Sequence, residues 1–402
     1  MPDKLRAGLS SHLSLSPVFY NIGILLGIYF IYPSLGVYGL ASGVVIGAIL
    51  HFLVQVPVVI RHGFFPKFTF KIKWKEILEV IRISAPRTLA LSCNSIAFIV
   101  LISIASSLKP VSISLFTLAY NLQSVPVGII GISYSVAAFP VLVRCFSSKD
   151  IDTFVRHIAE AIKQVIFWSL PIISLFVVLR AQIVRVILGS TSFTWFDTRL
   201  TAASVALFVV SLVTQGLVLL FVRGYYAAGN TRKPLWVNVF SSFMVIVFAK
   251  LFIFIFNQFP ELLSLLESIL RVKNVPGTIM LALPIAFALG SILNFVLIWI
   301  MFVKDFPISK DFQIFKTFWQ TSLGAFVVGL VSYFSLGFFD NLFNINTGVG
   351  IFMQGFLSGI IGISFGIIVL YLLKNKQLLD LIKTLNQKFW EKRILAPEQG
   401  DL

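Results

Sequence analysis

Three polar side chains lie together in an uncharged, apolar stretch, LAYNLQSVPVGIIGISYSVAAFP at residues 118–140. Asn121, Gln123 and Ser124 come just before Pro126, a residue type that interrupts helical hydrogen bonds. Amides and hydroxyls can hydrogen-bond a sugar, a peptide or a phosphate oxygen, but they offer no charge attraction. The cluster therefore indicates either a polar patch on a substrate path, beside a loosened helix, or hydrogen bonds that hold this helix to a neighbour.

Ionisable and amide side chains in other apolar stretches form a second group of candidates, because charge is costly in hydrocarbon. Arg87 and Arg223 each lie at the predicted inner end of a span, where a guanidinium either meets a phosphate or reaches the lipid headgroups. His51 and Gln55 are one helical turn apart, and they either line the substrate path or pack as satisfied interior residues. Asn94 adds an amide to another span.

Lys250 is the remaining charge inside a predicted span, where it lies in the outer half and is expected to extend towards the headgroups. The sequence contains no Gly-rich phosphate loop, no nucleophile with a matching base and no set of metal ligands. Cys93 and Cys145 have no disulfide or metal-site spacing, so both are predicted to be small packing side chains. We therefore predict a protein that is not an enzyme and has neither cofactor nor metal.

The composition predicts a polytopic membrane protein. Of 402 residues, 58% are hydrophobic and only 12% charged, and the mean hydropathy is +0.95. That is too little polar surface to cover a water-soluble globule. Long uninterrupted apolar runs are typical of spanning helices and differ from the alternating segments of a barrel, so the fold class is predicted to be all-α.

Windows of about 19 residues predict ten spans. Ten crossings place both termini on one side, and that side carries 24 of the 32 Lys and Arg residues, which predicts that it is cytoplasmic. The net charge of +16 is thereby explained without nucleic acid. The predicted spans are 17–32, 36–60, 86–107, 114–143, 160–180, 199–223, 235–256, 278–303, 317–339 and 348–373.

Several stretches together resemble the MurJ/MviN family of lipid II flippases, within the superfamily of multidrug and oligosaccharidyl-lipid exporters. The likeness runs in order along nearly the whole chain, and it matches the fifth to the fourteenth of the family's usual fourteen spans. It rests on residues 16–30, 36–59, 85–108, 118–140, 139–150, 223–234 and 289–294.

The resemblance implies an organisation into five parts. Residues 1–60 would be two spans of an N-terminal lobe whose first four spans are missing, and 61–85 a cytoplasmic amphipathic linker. Residues 86–303 would form a six-span C-terminal lobe, and 304–373 two further spans, which in the family form a groove for the lipid tail. Residues 374–402 would be a cytoplasmic amphipathic tail on anionic lipid.

The resemblance also implies a function, namely translocation of lipid II across the bacterial cytoplasmic membrane by alternating access. A family pattern places an Arg and a Glu in the eighth span, and these positions fall on Asn121 and Ser124, so both charges are replaced here. Two alternatives stay open: export of another lipid-linked polysaccharide, or a transport-incompetent scaffold in cell-wall synthesis. The expected partners are a lipid-linked glycan, membrane lipids, and either a second copy of the chain or a cell-wall synthesis protein.

Overall fold

A computed structural model describes residues 16–61, 74–108, 110–190, 193–309, 312–344 and 347–390. All regular structure in these ranges is helical, which confirms the predicted fold class. The chain divides into two compact units, Met1–Ile77 and Leu78–Leu402.

The first unit is a pair of apolar helices, α1 (Ser16–Leu35) and α2 (Val37–Arg61). Gly36 joins them with a φ of 55° and a ψ of −132°, a conformation open mainly to glycine. Glycines line the contact between the helices: a Cβ added to Gly23 or Gly27 of α1 would clash with the backbone of Gly47 or Gly43 of α2. The absence of side chains at these positions allows the two backbones to touch.

The second unit is a bundle that begins within α3 (Trp74–Leu108). Its next helices, α4 (Pro110–Pro126) and α5 (Ser133–Ser147), are joined by a π-helical segment, Val127–Ile132, and run on as one long span. The helices after α5 are α6 (Ile151–Val178), α7 (Arg180–Leu188), α8 (Trp195–Val209), α9 (Leu212–Ala227), α10 (Arg232–Gln258), α11 (Pro260–Leu270), α12 (Ala282–Asp305), α13 (Ile314–Asp340), α14 (Gly348–Leu372) and α15 (Lys376–Trp390).

Within the described residues, eight helices are long and apolar enough to cross a bilayer, or nine if α8 and α9, which meet at a 45° bend, form one span. The predicted third span falls on Ser92–Leu108, which is apolar but shorter. The chain is thus a multi-span membrane protein, with close to the ten predicted crossings.

Two apolar clusters form the core of the second unit. One, around Phe116, Phe208 and Met280, joins α4, α8 and the short helical turn before α12. The other, around Phe154 and Phe302, joins α6 to α12. These clusters hold fixed the helices that surround the cavity described next.

Candidate functional site

A cavity of about 590 Å³ lies inside the second unit, among α3, α4, the π-helical segment, α9, α10 and α12. Its described lining is mixed, with apolar patches between amides and hydroxyls, and none of its lining side chains is charged. Such a surface can bind neutral hydrogen-bonding groups such as sugar hydroxyls and peptide amides. The polar lining residues are Asn94, Ser95, Tyr120, Ser124, Gln215, Ser241, Ser242, Ser291 and Asn294.

An amide pair joins α4 to α9 at the cavity wall. Gln215 Nε2 donates to Gln123 Oε1 at 3.2 Å and to Ser211 Oγ at 2.9 Å. Gln123 is only 1% exposed, so it lies behind the cavity surface and holds Gln215 in place. A buried amide that lacked this partner would be costly in a membrane interior.

Two further polar pairs tie the remaining walls together. Ser242 Oγ of α10 donates to Asn94 Oδ1 of α3 at 3.1 Å. Asn294 Nδ2 of α12 donates to Asn238 Oδ1 of α10 at 3.0 Å, and both asparagines are buried. Asn294 Oδ1 and the hydroxyl of Ser241, also buried, have no hydrogen-bond partner within the described chain. Both atoms are buried behind the cavity surface, so their hydrogen-bonding capacity is unused in this structure.

The π-helical segment Val127–Ile132 forms part of the wall, directly after Pro126. Proline removes one donor from the helical ladder and its ring presses on the preceding turn, which explains why the helix widens here. A Cβ on Gly131 would come within 2.9 Å of Gly216 Cα, whereas a Cβ on Gly128 would meet nothing within 4 Å. The segment is thus packed on α9 on one side and open on the other, and π-helical turns of this kind are frequent at functional sites.

An aromatic group closes one side of the cavity. The Tyr120 ring lies 4.2 Å from the Phe98 ring and 5.6 Å from that of Phe287, measured between centroids. All three residues line the cavity. Their flat apolar faces can pack against a sugar ring or an acyl chain.

The structure brings some of the predicted site residues to this cavity. Asn94 and Ser124 line it, and Gln123 supports Gln215 from behind. Arg223 donates to the carbonyl oxygen of Ile132, the last residue of the π-helical segment, at 3.2 Å. Asn121 is exposed outside the described lining, and its carbonyl accepts the Ser124 hydroxyl at 2.7 Å.

The other predicted residues lie elsewhere. His51 and Gln55 are in the first unit, where Gln55 Nε2 lies 3.0 Å from His51 Nε2 and 2.8 Å from Ser16 Oγ, so both have local partners. Lys250 is exposed on α10. The side chain of Arg87 lies outside the described residues.

Sequence reasoning missed Gln215, Ser241, Ser242 and Asn294. A signal was present, since Asn238, Ser241 and Ser242 recur at helical spacing on α10, and Ser291 and Asn294 do so on α12. Polar residues that share one face of an apolar helix indicate a polar neighbour or a cavity.

The matching family model and the curated relatives carry the same description. The family model described as lipid II flippase MurJ matches residues 11–354. A probable lipid II flippase MurJ of Vibrio cholerae is 25% identical over 245 residues, 60% of this chain and 46% of the relative. A protein of the same name from Borreliella burgdorferi is 23% identical over 231 residues, 58% of this chain and 46% of its own. The chain thus spans about half the length of the curated relatives it matches.

A solved structure, lipid II flippase MurJ in an inward closed conformation, has a similar fold. It is 23% identical with a TM-score of 0.65, over 92% of this chain and 68% of that one. This likeness agrees with the all-helical bundle described above. Because the family model covers most of the sequence, the resemblance noted from the sequence is confirmed, and the chain belongs to the lipid II flippase MurJ family.

Proposed function

We propose that this chain translocates a lipid-linked glycan, lipid II or a related undecaprenyl diphosphate precursor, from the inner to the outer leaflet of the bacterial cytoplasmic membrane. The observation that carries the proposal is a cavity of about 590 Å³, lined by amides and hydroxyls among apolar side chains, inside the helical bundle of a MurJ family member. In a membrane protein, amides and hydroxyls that face a shared cavity are default candidates for a substrate path.

In this proposal, the cavity binds the substrate headgroup through hydrogen bonds. Asn94, Gln215 and Ser242 would bind the sugar and peptide parts of the headgroup, while Tyr120 packs against a ring. The π-helical segment is a place where the α4–α5 span can bend as the cavity opens to one side and then the other. Substrate movement by alternating access needs a wall that can change shape in this way.

A second candidate is supported by the charge of the cavity. None of its described lining residues is cationic, whereas a diphosphate is most strongly bound by Arg or Lys. A cavity without cations would recognise the neutral glycan and not the diphosphate, which is compatible with another lipid-linked polysaccharide as substrate. It is equally compatible with a membrane scaffold in cell-wall synthesis that binds without transport. The experiment below separates these possibilities.

The test is rescue of bacteria depleted of their own lipid II flippase, with survival and outer-leaflet lipid II measured together. We expect the chain to restore both. The double variant Asn94→Leu/Ser242→Ala should reduce rescue at equal membrane abundance, because it removes one polar pair from the wall. Ser106→Ala/Ser364→Ala is the matched control, since these exposed hydroxyls bond only carbonyls of their own helices.

Each outcome distinguishes the two proposals. Well-folded chain at normal abundance that fails to restore lipid II exposure would contradict the flippase proposal and favour the other substrate or the scaffold. Rescue that is equally strong in both double variants would show that this cavity is not the substrate path.

A further inference from the structure

A second cavity, of about 270 Å³, lies where the first half of α6 meets the starts of α13 and α15. Its described lining carries five cations and a single carboxylate, Glu160, which leaves an excess of four positive charges. The sequence predicts this end of the bundle to face the cytoplasm. The cations are Arg156, Lys163, Lys316, Lys374 and Lys376.

Buried polar side chains fix the shape of this basic pocket. Asn375, fully buried, donates from Nδ2 to Gln320 Oε1 at 3.1 Å, and Gln320 Nε2 donates to the Leu373 carbonyl at 2.8 Å. Thr317 Oγ1 donates to Gln377 Oε1 at 3.3 Å, and these two residues are 5% and 3% exposed. The start of α15 is thereby fastened to the start of α13.

An apolar contact holds α15 from its other side. Leu378, 4% exposed, packs with Phe167 of α6 and Leu370 of α14. The turn between α14 and α15 passes through Lys374, which has a φ of 51°. The pocket is therefore built from three elements with fixed relative positions, and its cations do not belong to a freely moving tail.

The cations of the basic pocket differ in how far they are already neutralised. Lys163 is 5% exposed and its Nζ lies 2.6 Å from Glu160 Oε1, so this pair is close to neutral. Lys316, Lys374 and Lys376 have no hydrogen-bond or ion-pair partner in the described part of the chain.

Unpaired cations around one cavity repel each other, and a bound anion relieves this repulsion. A tetrahedral phosphate suits the pocket, because its oxygens can accept from several ammonium groups and from the guanidinium of Arg156 at once. The volume of 270 Å³ is well above the roughly 30 Å³ share of one water molecule, so a phosphate group has room.

We propose that the basic pocket formed by α6, α13 and α15 binds a negatively charged phosphate group. The source is either the headgroup of an anionic phospholipid or a soluble phosphate or pyrophosphate. The site does not depend on the proposed transport, since it involves none of the residues that line the larger cavity.

The test measures binding by the purified full-length chain in two arms. In the first, native mass spectrometry counts lipids retained from nanodiscs of equal phosphatidylglycerol and phosphatidylcholine. In the second, inorganic phosphate and pyrophosphate are titrated calorimetrically into lipid-free protein in detergent. Preference for phosphatidylglycerol identifies the lipid source, and saturable binding in the second arm identifies the soluble one.

The informative variant is Lys316→Gln/Lys376→Gln, which removes two exposed pocket cations that have no described partner. We expect it to weaken binding at least tenfold in whichever arm the parent binds. Lys304→Gln/Lys383→Gln removes the same charge from exposed positions outside the pocket and should bind like the parent.

Equal binding by the two double variants, or no binding by the parent in either arm, would overturn the proposal. Thermal unfolding checks that both variants fold. If the pocket double variant does not fold, the single change Lys376→Gln takes its place, with Lys383→Gln as control and a loss of binding of several-fold expected.

Discussion

Three pairs of polar side chains in the second unit form hydrogen bonds between neighbouring helices. Gln123 with Gln215, Ser242 with Asn94, and Asn294 with Asn238 each satisfy groups that would otherwise be buried alone in apolar surroundings. This pairing explains why polar side chains occur just before Pro126. One member of the cluster is a structural anchor, and another, Ser124, faces the cavity.

Such roles could be predicted only in part. An isolated polar side chain in an apolar run is visible in the sequence, and this pattern makes Asn94, Gln123 and Ser124 candidates. Whether a given amide faces a cavity or a neighbouring helix depends on contacts between distant segments, as for Gln215, which lies 92 residues from its partner. The hydrophobic pattern of a single helix does not contain that information.

Asp305 forms a charged cluster at the end of α12 and stabilises the side chains around it. Asp305 accepts two close contacts from Lys233 Nζ, at 2.5 and 2.6 Å, and the hydroxyl of buried Tyr225 at 2.9 Å. Asp305→Asn removes the ion pair but keeps an acceptor for Tyr225, so the free energy of unfolding should fall by roughly 0.5–1 kcal/mol. Asp305→Leu leaves the tyrosine hydroxyl without its acceptor and should cost roughly 1–3 kcal/mol.

Thermal unfolding in detergent, followed by intrinsic fluorescence, measures both effects. Asp380→Asn is the control, because that carboxylate is exposed on α15 with no described side-chain partner. An Asp305→Leu variant that unfolds at the temperature of the parent would show that the cluster contributes nothing to stability.

Close helix contacts in this protein depend on glycine. Gly23 and Gly27 face Gly47 and Gly43 in the first unit. In the second unit, Gly362 of α14 lies against α13. Where lipid surrounds both helices, such packing is a main source of association, because burying apolar surface gains little there.

The sequence predicted most helices from apolar length, but it missed the break between α8 and α9. Hydropathy predicts a single span over 199–223, whereas the structure has two helices bent by 45°. Ser211 explains the bend, since its hydroxyl donates to the Phe208 carbonyl at 2.8 Å and accepts from Gln215 at 2.9 Å. A serine that bonds its own backbone competes with the helical ladder, and hydropathy alone does not register this.

Glycine substitutions on two packed helices are predicted to differ in their effect on stability. A Cβ on Gly362 would lie 2.7 Å from the carbonyl oxygen of Val328 and closer still to the Ser332 hydroxyl, whereas one on Gly337 would meet nothing within 4 Å. Gly362→Ala should therefore lower the free energy of unfolding by roughly 1–3 kcal/mol. Gly337→Ala should leave it unchanged or raise it by up to about 1 kcal/mol, through helix propensity.

The same unfolding assay compares the two variants. Adding Ser332→Ala to Gly362→Ala should restore only part of the loss, because the contact with the Val328 backbone remains. If Gly362→Ala and Gly337→Ala shift the unfolding temperature alike, α13 and α14 are not packed as closely as described.

The uneven distribution of Lys and Arg between the two ends of the spans predicts how the whole chain is oriented in the membrane. α10, from Arg232 to Gln258, is about 40 Å long at 1.5 Å per residue, enough to cross the bilayer once. Its basic start and the basic end of α12 should therefore lie on the same side, and α11 on the other. The positive-inside rule assigns the basic side to the cytoplasm.

Cysteine labelling tests this orientation in a chain whose own cysteines are replaced, Cys93→Ser/Cys145→Ser. We expect a membrane-impermeant maleimide to label Glu261→Cys in intact spheroplasts, and Arg232→Cys and Lys304→Cys only after permeabilisation, since all three positions are exposed. The reverse pattern would invert the orientation and place the basic pocket outside. Labelling of all three in intact cells would mean that α10 does not span, because its two ends would then share one side of the membrane.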